Sequence, residues 1–160
     1  MANRMRVADA LTALGRHGEA LPLYRRGIGS KPDFRGGEKL ARSLYLNDQA
    51  AEALTVLDGL PEVISQSERD RAKLLRARVL EDLGRNDEAL PIYADVSQRI
   101  PGDEARCRYA GLLLKMGKRG QARLVLEEVE QRMKRIDRQS RNASAQMYDW
   151  AIKELTALRT

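Results

Sequence analysis

Glu19-Ala20-Leu21-Pro22-Leu23-Tyr24 returns further along the chain as Glu88-Ala89-Leu90-Pro91-Ile92-Tyr93, with weaker copies at Glu52-Ala53-Leu54 and Gln121-Ala122. Four alanines, Ala20, Ala53, Ala89 and Ala122, are thereby set 33, 36 and 33 residues apart. Five residues before each stands Gly15, Asp48, Gly84 or Gly117, and four residues after each stands Tyr24, Leu57, Tyr93 or Leu126. A period of this length marks stacked supersecondary units that bury their apolar faces against one another. Each position has a physical reason. A glycine ends a helix because the left-handed conformation costs it nothing. An alanine lets two helices cross closely, and the larger residue one turn on fills the space beyond.

The apolar spacing around these anchors is helical. Val7, Leu11 and Leu14 run into Gly15, and Leu40, Ala41 and Leu44 precede Asp48. Leu74, Ala77, Leu80 and Leu83 run into Gly84, and Tyr109, Leu113 and Met116 into Gly117. No stretch alternates with a period of two, so the reading is all-α. Pro22 and Pro91 fall near the second turn of a helix, where proline removes a hydrogen bond; those helices are expected to start late or bend. The longer gap holds Pro61 and then Ser65-Gln66-Ser67-Glu68, which predicts a loop followed by a capping box. Beyond the fourth unit, Ala143, Met147, Trp150, Ala151, Leu155 and Leu158 keep helical spacing. They predict one capping helix over residues 136–160 that hides the last apolar face, with Trp150 on the second helix of the fourth unit.

This pattern resembles the tetratricopeptide repeat family, whose unit is a pair of antiparallel helices. The resemblance covers about residues 1–135, in four repeats of about 1–34, 35–66, 67–102 and 103–135. Ala8, Gly15, Ala20, Tyr24 and Pro32 match the family pattern in the first, and Ala77, Gly84, Ala89, Tyr93 and Pro101 in the third. The fourth keeps Ala110, Gly117 and Ala122 but has Lys134 at the proline position. The second departs most, with Asp48 at the turn and Ser65 at the end. The early aromatic of the first helix is missing throughout: Arg4, Gly37, Lys73 and Arg106 stand there. The fold so implied is a right-handed superhelix of antiparallel helix pairs, an α-solenoid. The hexamers, with the stretch Pro101 to Ala110, are also similar to the soluble repeat region of membrane-anchored bacterial proteins of this family. That similarity implies a cytoplasmic location, or the cytosolic part of an anchored protein.

Composition bounds the chemistry. The 160 residues include one His and one Cys, which excludes a Cys/His zinc site and chemistry that needs two histidines. No apolar run approaches the roughly 20 residues that span a bilayer. His17 lies between Arg16 and Gly18 and reads as a solvated turn residue; Cys107 reads as a small interior or groove residue. Gly111 to Lys118 lacks the spacing and the Ser/Thr of a phosphate loop. No catalytic constellation and no cofactor or metal site is found, and the expectation is a protein that is not an enzyme.

What remains is binding. In the family the first helix of each pair lines a groove; of the positions that face a bound peptide, the resemblance implies as candidates here Asp9, Arg35, Arg42, Tyr45, Arg71, Leu74, Arg78 and Lys115. Arg42, Arg71 and Arg78 would pair with carboxylates of an extended peptide. The family's clamp for chaperone tails is not reproduced, since Met5, Asp9, Lys39 and Leu75 occupy four of its five positions and only Arg71 is compatible. Charge is uneven as well. Residues 1–98 hold 15 basic and 15 acidic side chains, whereas residues 99–160 hold 14 and 8, so the whole net charge of +6 lies in the second stretch. Arg132, Lys134, Arg135, Arg138 and Arg141 form its densest cluster, a candidate for nucleic acid or an anionic membrane surface. The absence of interleaved aromatics argues against nucleic acid. The leading expectation is a scaffold for a protein or peptide partner of acidic character. A second expectation is self-association, or a preceding repeat, at the apolar edge formed by Met5, Leu11 and Leu14.

Overall fold

The computed structural model describes the backbone of residues 2–160 and the side chains of residues 5–160, so Arg4 lies outside the described side chains. Ten helices and no strand are found among the described residues: α1 (Ala2–Ala13), α2 (His17–Ile28), α3 (Phe34–Leu46), α4 (Ala50–Asp58), α5 (Gln66–Asp82), α6 (Asn86–Val96), α7 (Glu104–Lys115), α8 (Arg119–Met133), α9 (Arg138–Ala143) and α10 (Ala145–Arg159). They fall into two compact units, one ending at Arg85 and holding α1 to α5, the other beginning at Asn86 and holding α6 to α10. In the first unit α1 packs on α2, α2 on α3, α3 on α4 and α4 on α5. In the second α6 packs on α7, α7 on α8, and α8 on α10.

The four turn positions share one geometry. Gly15, Asp48, Gly84 and Gly117 have φ of 76°, 61°, 77° and 75°. In each, the turn residue's N–H bonds the carbonyl three residues back. The next N–H reaches five residues back: Arg16 to Leu11 and Arg85 to Leu80 at 2.8 Å, Gln49 to Leu44 at 2.9 Å, Lys118 to Leu113 at 2.8 Å. This double bond to the last free carbonyls is the glycine-type helix stop, and Asp48 adopts it without being glycine.

The small residues at the repeat positions are enclosed. Ala8, Ala41, Ala77 and Ala110 on the first helices, and Ala20, Ala53, Ala89 and Ala122 on the second, are all fully buried. Tyr24, Leu57, Tyr93 and Leu126, one turn on, are buried too. The prolines do not delay the start of their helices. Pro22 and Pro91 lie inside α2 and α6, which begin five residues earlier, at His17 and Asn86. Both prolines are exposed, so the carbonyl each leaves without an N–H faces the solvent side of its helix.

The loop between α4 and α5 explains a missing aromatic. A Cβ at Gly37 would overlap the Leu60 side chain, and Pro32 lies on the same spot. The extra residues after α4 thus fold an aliphatic side chain into space that a bulky residue on α3 would fill. Arg69 braces the loop, donating to the Val63 and Ile64 carbonyls at 2.7 Å each. Ser65 caps α5 by accepting from Glu68 N–H at 3.3 Å, one half of the expected box.

The cap is two helices. Asp137 opens α9, accepting from the Ser140 amide and hydroxyl, and the chain breaks at Ser144 before α10 begins. Tyr148, Ala151 and Leu155 bury against Leu126 and Val129 of α8 and Ala110 and Cys107 of α7. Trp150 packs against this same cluster, which includes Leu126 and Val129 of the second helix of the fourth pair, and its ring also reaches Gly111 of α7.

Candidate partner-binding site

The side chains expected to face a partner divide, in the structure, into committed and uncommitted groups. Asp9 is committed: its carboxylate accepts from Tyr24 Oη at 2.6 Å and from Lys39 Nζ at 2.8 Å. Partial burial works against its ionisation, but the bonds from Lys39 and Tyr24 prevail and hold the carboxyl below its usual range. Tyr24 responds in the opposite direction, pushed up to about 12 by burial and then by the neighbouring carboxylate. Arg42 is paired with Glu38 one turn back, and Arg35 donates to Glu68 Oε1 at 2.8 Å. Leu74 is buried in the core and offers a partner little.

Arg71 and Arg78 differ. Arg71 is exposed on α5 and forms no ion pair among the described residues. It lines a concavity of about 340 Å³ with Phe34, Arg35, Glu38, Lys39 and Glu68. Arg78, two turns on, lies over the Tyr45 ring at 4.9 Å from its centroid, and its Nε is enclosed without an acceptor. The α-helical rise places these two cations roughly 10 Å apart along one face of α5. Tyr45 is thereby a platform that orients Arg78 and not a free contact. Lys115 is exposed at the last residue of α7, in the other unit.

Phe34 and Glu68 were not among the expected site residues. Glu68 has the sequence signature of a capping-box acid, and its local role hid the fact that it reaches Arg35. Phe34 opens α3 and carried no periodic signal. Beside this site, a second concavity of about 480 Å³ is lined by Phe34, Leu57, Leu60, Pro61, Val63 and Ala72 together with the charged Glu62, Arg69, Lys73 and Arg76. Ile64, next to it, is almost wholly exposed.

His17 and Cys107 are corrected or sharpened by their surroundings. His17 is half-buried, not solvated: Nδ1 is enclosed without a partner and its carbonyl accepts from Asn47 Nδ2 at 3.0 Å. Burial pushes the Cys107 thiol up to about 12, with Asp103 adding to it, which favours the protonated thiol near neutral pH.

The basic cluster is divided. Arg132 donates to Asp103 Oδ1 at 2.7 Å, and Tyr148 Oη donates to Asp103 Oδ2 at 2.6 Å. Asp103 is buried, as is Arg106, which bonds the Gly102 carbonyl and Glu128. Arg132 is thus part of a polar network joining α7, α8 and α10. Lys134, Arg135, Arg138 and Arg141 are exposed.

Among solved structures, the nearly identical TPR-like repeats of a Podosopora anserina protein described as a kinesin light chain match over 99% of this chain and 92% of theirs. The TM-score is 0.72 at 18% identity. A second form of the same repeats matches with a TM-score of 0.68 at 16% identity, over 99% and 94%. The fold is that of tetratricopeptide-like repeats. No protein-family model and no curated protein matches the sequence. No helix among the described residues is long and apolar enough to cross a membrane.

Proposed function

We propose that this chain is a non-enzymatic scaffold that holds an acidic, extended or helical segment of a partner protein against α3 and α5. The carrying observation is that Arg71 and Arg78 lack carboxylate partners among the described residues while Arg35, Arg42 and Lys39 have them. A guanidinium that the fold gives no carboxylate is available to pair with one on a bound segment. The tetratricopeptide-like fold, a frame for protein binding, supports the reading. We take residues 1–135 as four repeats divided at about 34, 66 and 102, with 136–160 as the cap, and place the domain in the cytoplasm.

The test is affinity capture from a lysate of the source cells with the wild-type chain and Arg71→Glu/Arg78→Glu, bound proteins being identified by mass spectrometry. Proteins retained by the wild type and lost by the variant support the proposal. An unchanged set retained by a variant that folds, as judged by circular dichroism, overturns it.

A further inference from the structure

The second unit sorts its cations into two kinds. Arg106, Arg108, Arg123, Arg132 and Arg159 are each held by a carboxylate. Lys134, Arg135, Arg138 and Arg141, within eight residues, are exposed, and none forms an ion pair among the described residues. Two acids close by in sequence do not offset them. Asp137 spends both carboxylate oxygens on capping α9 through Ser140. Glu130 lies close enough to Lys134 to feel its charge but is bonded to Arg159 at 3.1 Å. Arg138 and Arg141 are three apart on α9 and share a face.

Arg141 also lines a concavity of about 450 Å³ together with Met133, Ala145, Tyr148 and Ile152 and the polar Asn142, Asp149 and Lys153. Met133, Ile136 and Ile152 are half-buried. Uncommitted cations thus stand beside aliphatic side chains that the fold covers only in part.

We infer that this end of the chain, Lys134 to Arg141 with Lys153, binds the surface of an anionic lipid bilayer, with headgroup phosphates meeting Arg141 and Lys153. Three observations favour a bilayer over other anions. None of the four cations is oriented by a hydrogen bond from its side chain among the described residues, so fixed pairing with a protein would order all four at an entropic cost. A bilayer presents laterally mobile anions and asks for no such ordering, each Lys or Arg near it contributing independently. Bases would need exposed aromatic platforms, and Tyr148 here is buried with its hydroxyl bound to Asp103. The aliphatic side chains, which a phosphodiester backbone does not reward, gain at a lipid interface.

The experiment is cosedimentation of the whole chain with vesicles of phosphatidylcholine alone and of phosphatidylcholine with phosphatidylserine, at low and physiological salt, beside a duplex DNA and a single-stranded RNA. Binding to the serine-containing vesicles alone, weakened by salt, is expected. Arg138→Glu/Arg141→Glu should reduce it on the order of thirty-fold. Arg26→Glu/Lys31→Glu, which changes net charge by the same amount at exposed cations of the first unit, should leave most of it. Three results overturn the inference: no vesicle binding at low salt, equal loss with both variants, or tighter binding to either nucleic acid than to vesicles. Vesicle binding is independent of the α3/α5 site, so Arg71→Glu/Arg78→Glu should bind vesicles as the wild type does.

Discussion

Asp48 shows at a single position how far a pattern can be bent before it breaks. It occupies the left-handed turn that glycine holds in the other three repeats, with φ of 61°. Aspartate is among the few residues that tolerate this region, but a Cβ there still carries strain. Asp48→Gly should therefore stabilise the chain by roughly 0.5 kcal/mol, the relieved strain less the extra chain entropy of glycine. The converse, Gly15→Ala, should cost about 1 kcal/mol, and the cost is conformational alone because nothing lies within 4 Å of the added Cβ. Chemical denaturation of both variants checks the pair; equal effects of one sign would contradict it. Arg132 gives the opposite lesson. Sequence proximity groups it with four surface cations, whereas burial of Asp103 draws it inward.

At the scale of elements, two contacts decide how helices are seated. Asp103 ties the start of α7 to Arg132 of α8 and Tyr148 of α10 while nearly inaccessible itself. Asp103→Ala would leave Arg106 and Tyr148 short of an acceptor. The expected loss is roughly 2–4 kcal/mol, with Arg132 contributing least because its side chain is 40% exposed. Hydrogen exchange in α10 should quicken more than in α2. The loop after α4 offers a coupled pair. Gly37→Ala alone should gain little of the roughly 1 kcal/mol that alanine holds over glycine within a helix, because the new methyl meets Leu60. In a Leu60→Ala background the same change should recover that gain. Additive effects in this double-mutant cycle would refute the contact.

For the molecule as a whole, stability should fall on both sides of neutrality. The carboxyls of Asp9, Glu19, Glu52 and Glu130 are held below their usual range by lysine or arginine partners, with burial opposing. A depressed carboxyl stabilises the fold above its unfolded pKa, so this contribution is present above about pH 4.5 and is lost as pH falls through the lower folded values. Tyr24 and Tyr148 are raised to about 12, first by burial and then by Asp9 and Asp103. Their contribution is complete below the unfolded value near 10 and is lost as pH climbs toward 12. Melting temperature measured against pH should show both flanks, and Tyr24→Phe with Tyr148→Phe should flatten the alkaline one. An alkaline flank unchanged in the double variant would assign it elsewhere.

Much of this architecture was legible in the chain because repetition makes local rules visible: a helix stop, a small crossing residue and a larger one a turn later recur at one spacing. Those rules act between residues at most a few turns apart, so they placed the paired helices, the turns and the buried alanines. The site was less legible. Positions on a helix face follow from periodicity, but whether Arg42 or Arg71 is free depends on Glu38 and Glu68 finding partners, and Glu68 lies a repeat away from Arg35. The prolines and Gly37 were likewise settled by what they meet: solvent and Leu60. Sequence by itself determined the all-helical repeating frame, since hydrogen bonding and steric preference are local. Only the tertiary structure decided which charges are spent within the fold and which face outward, because ion pairing joins residues that the chain holds far apart.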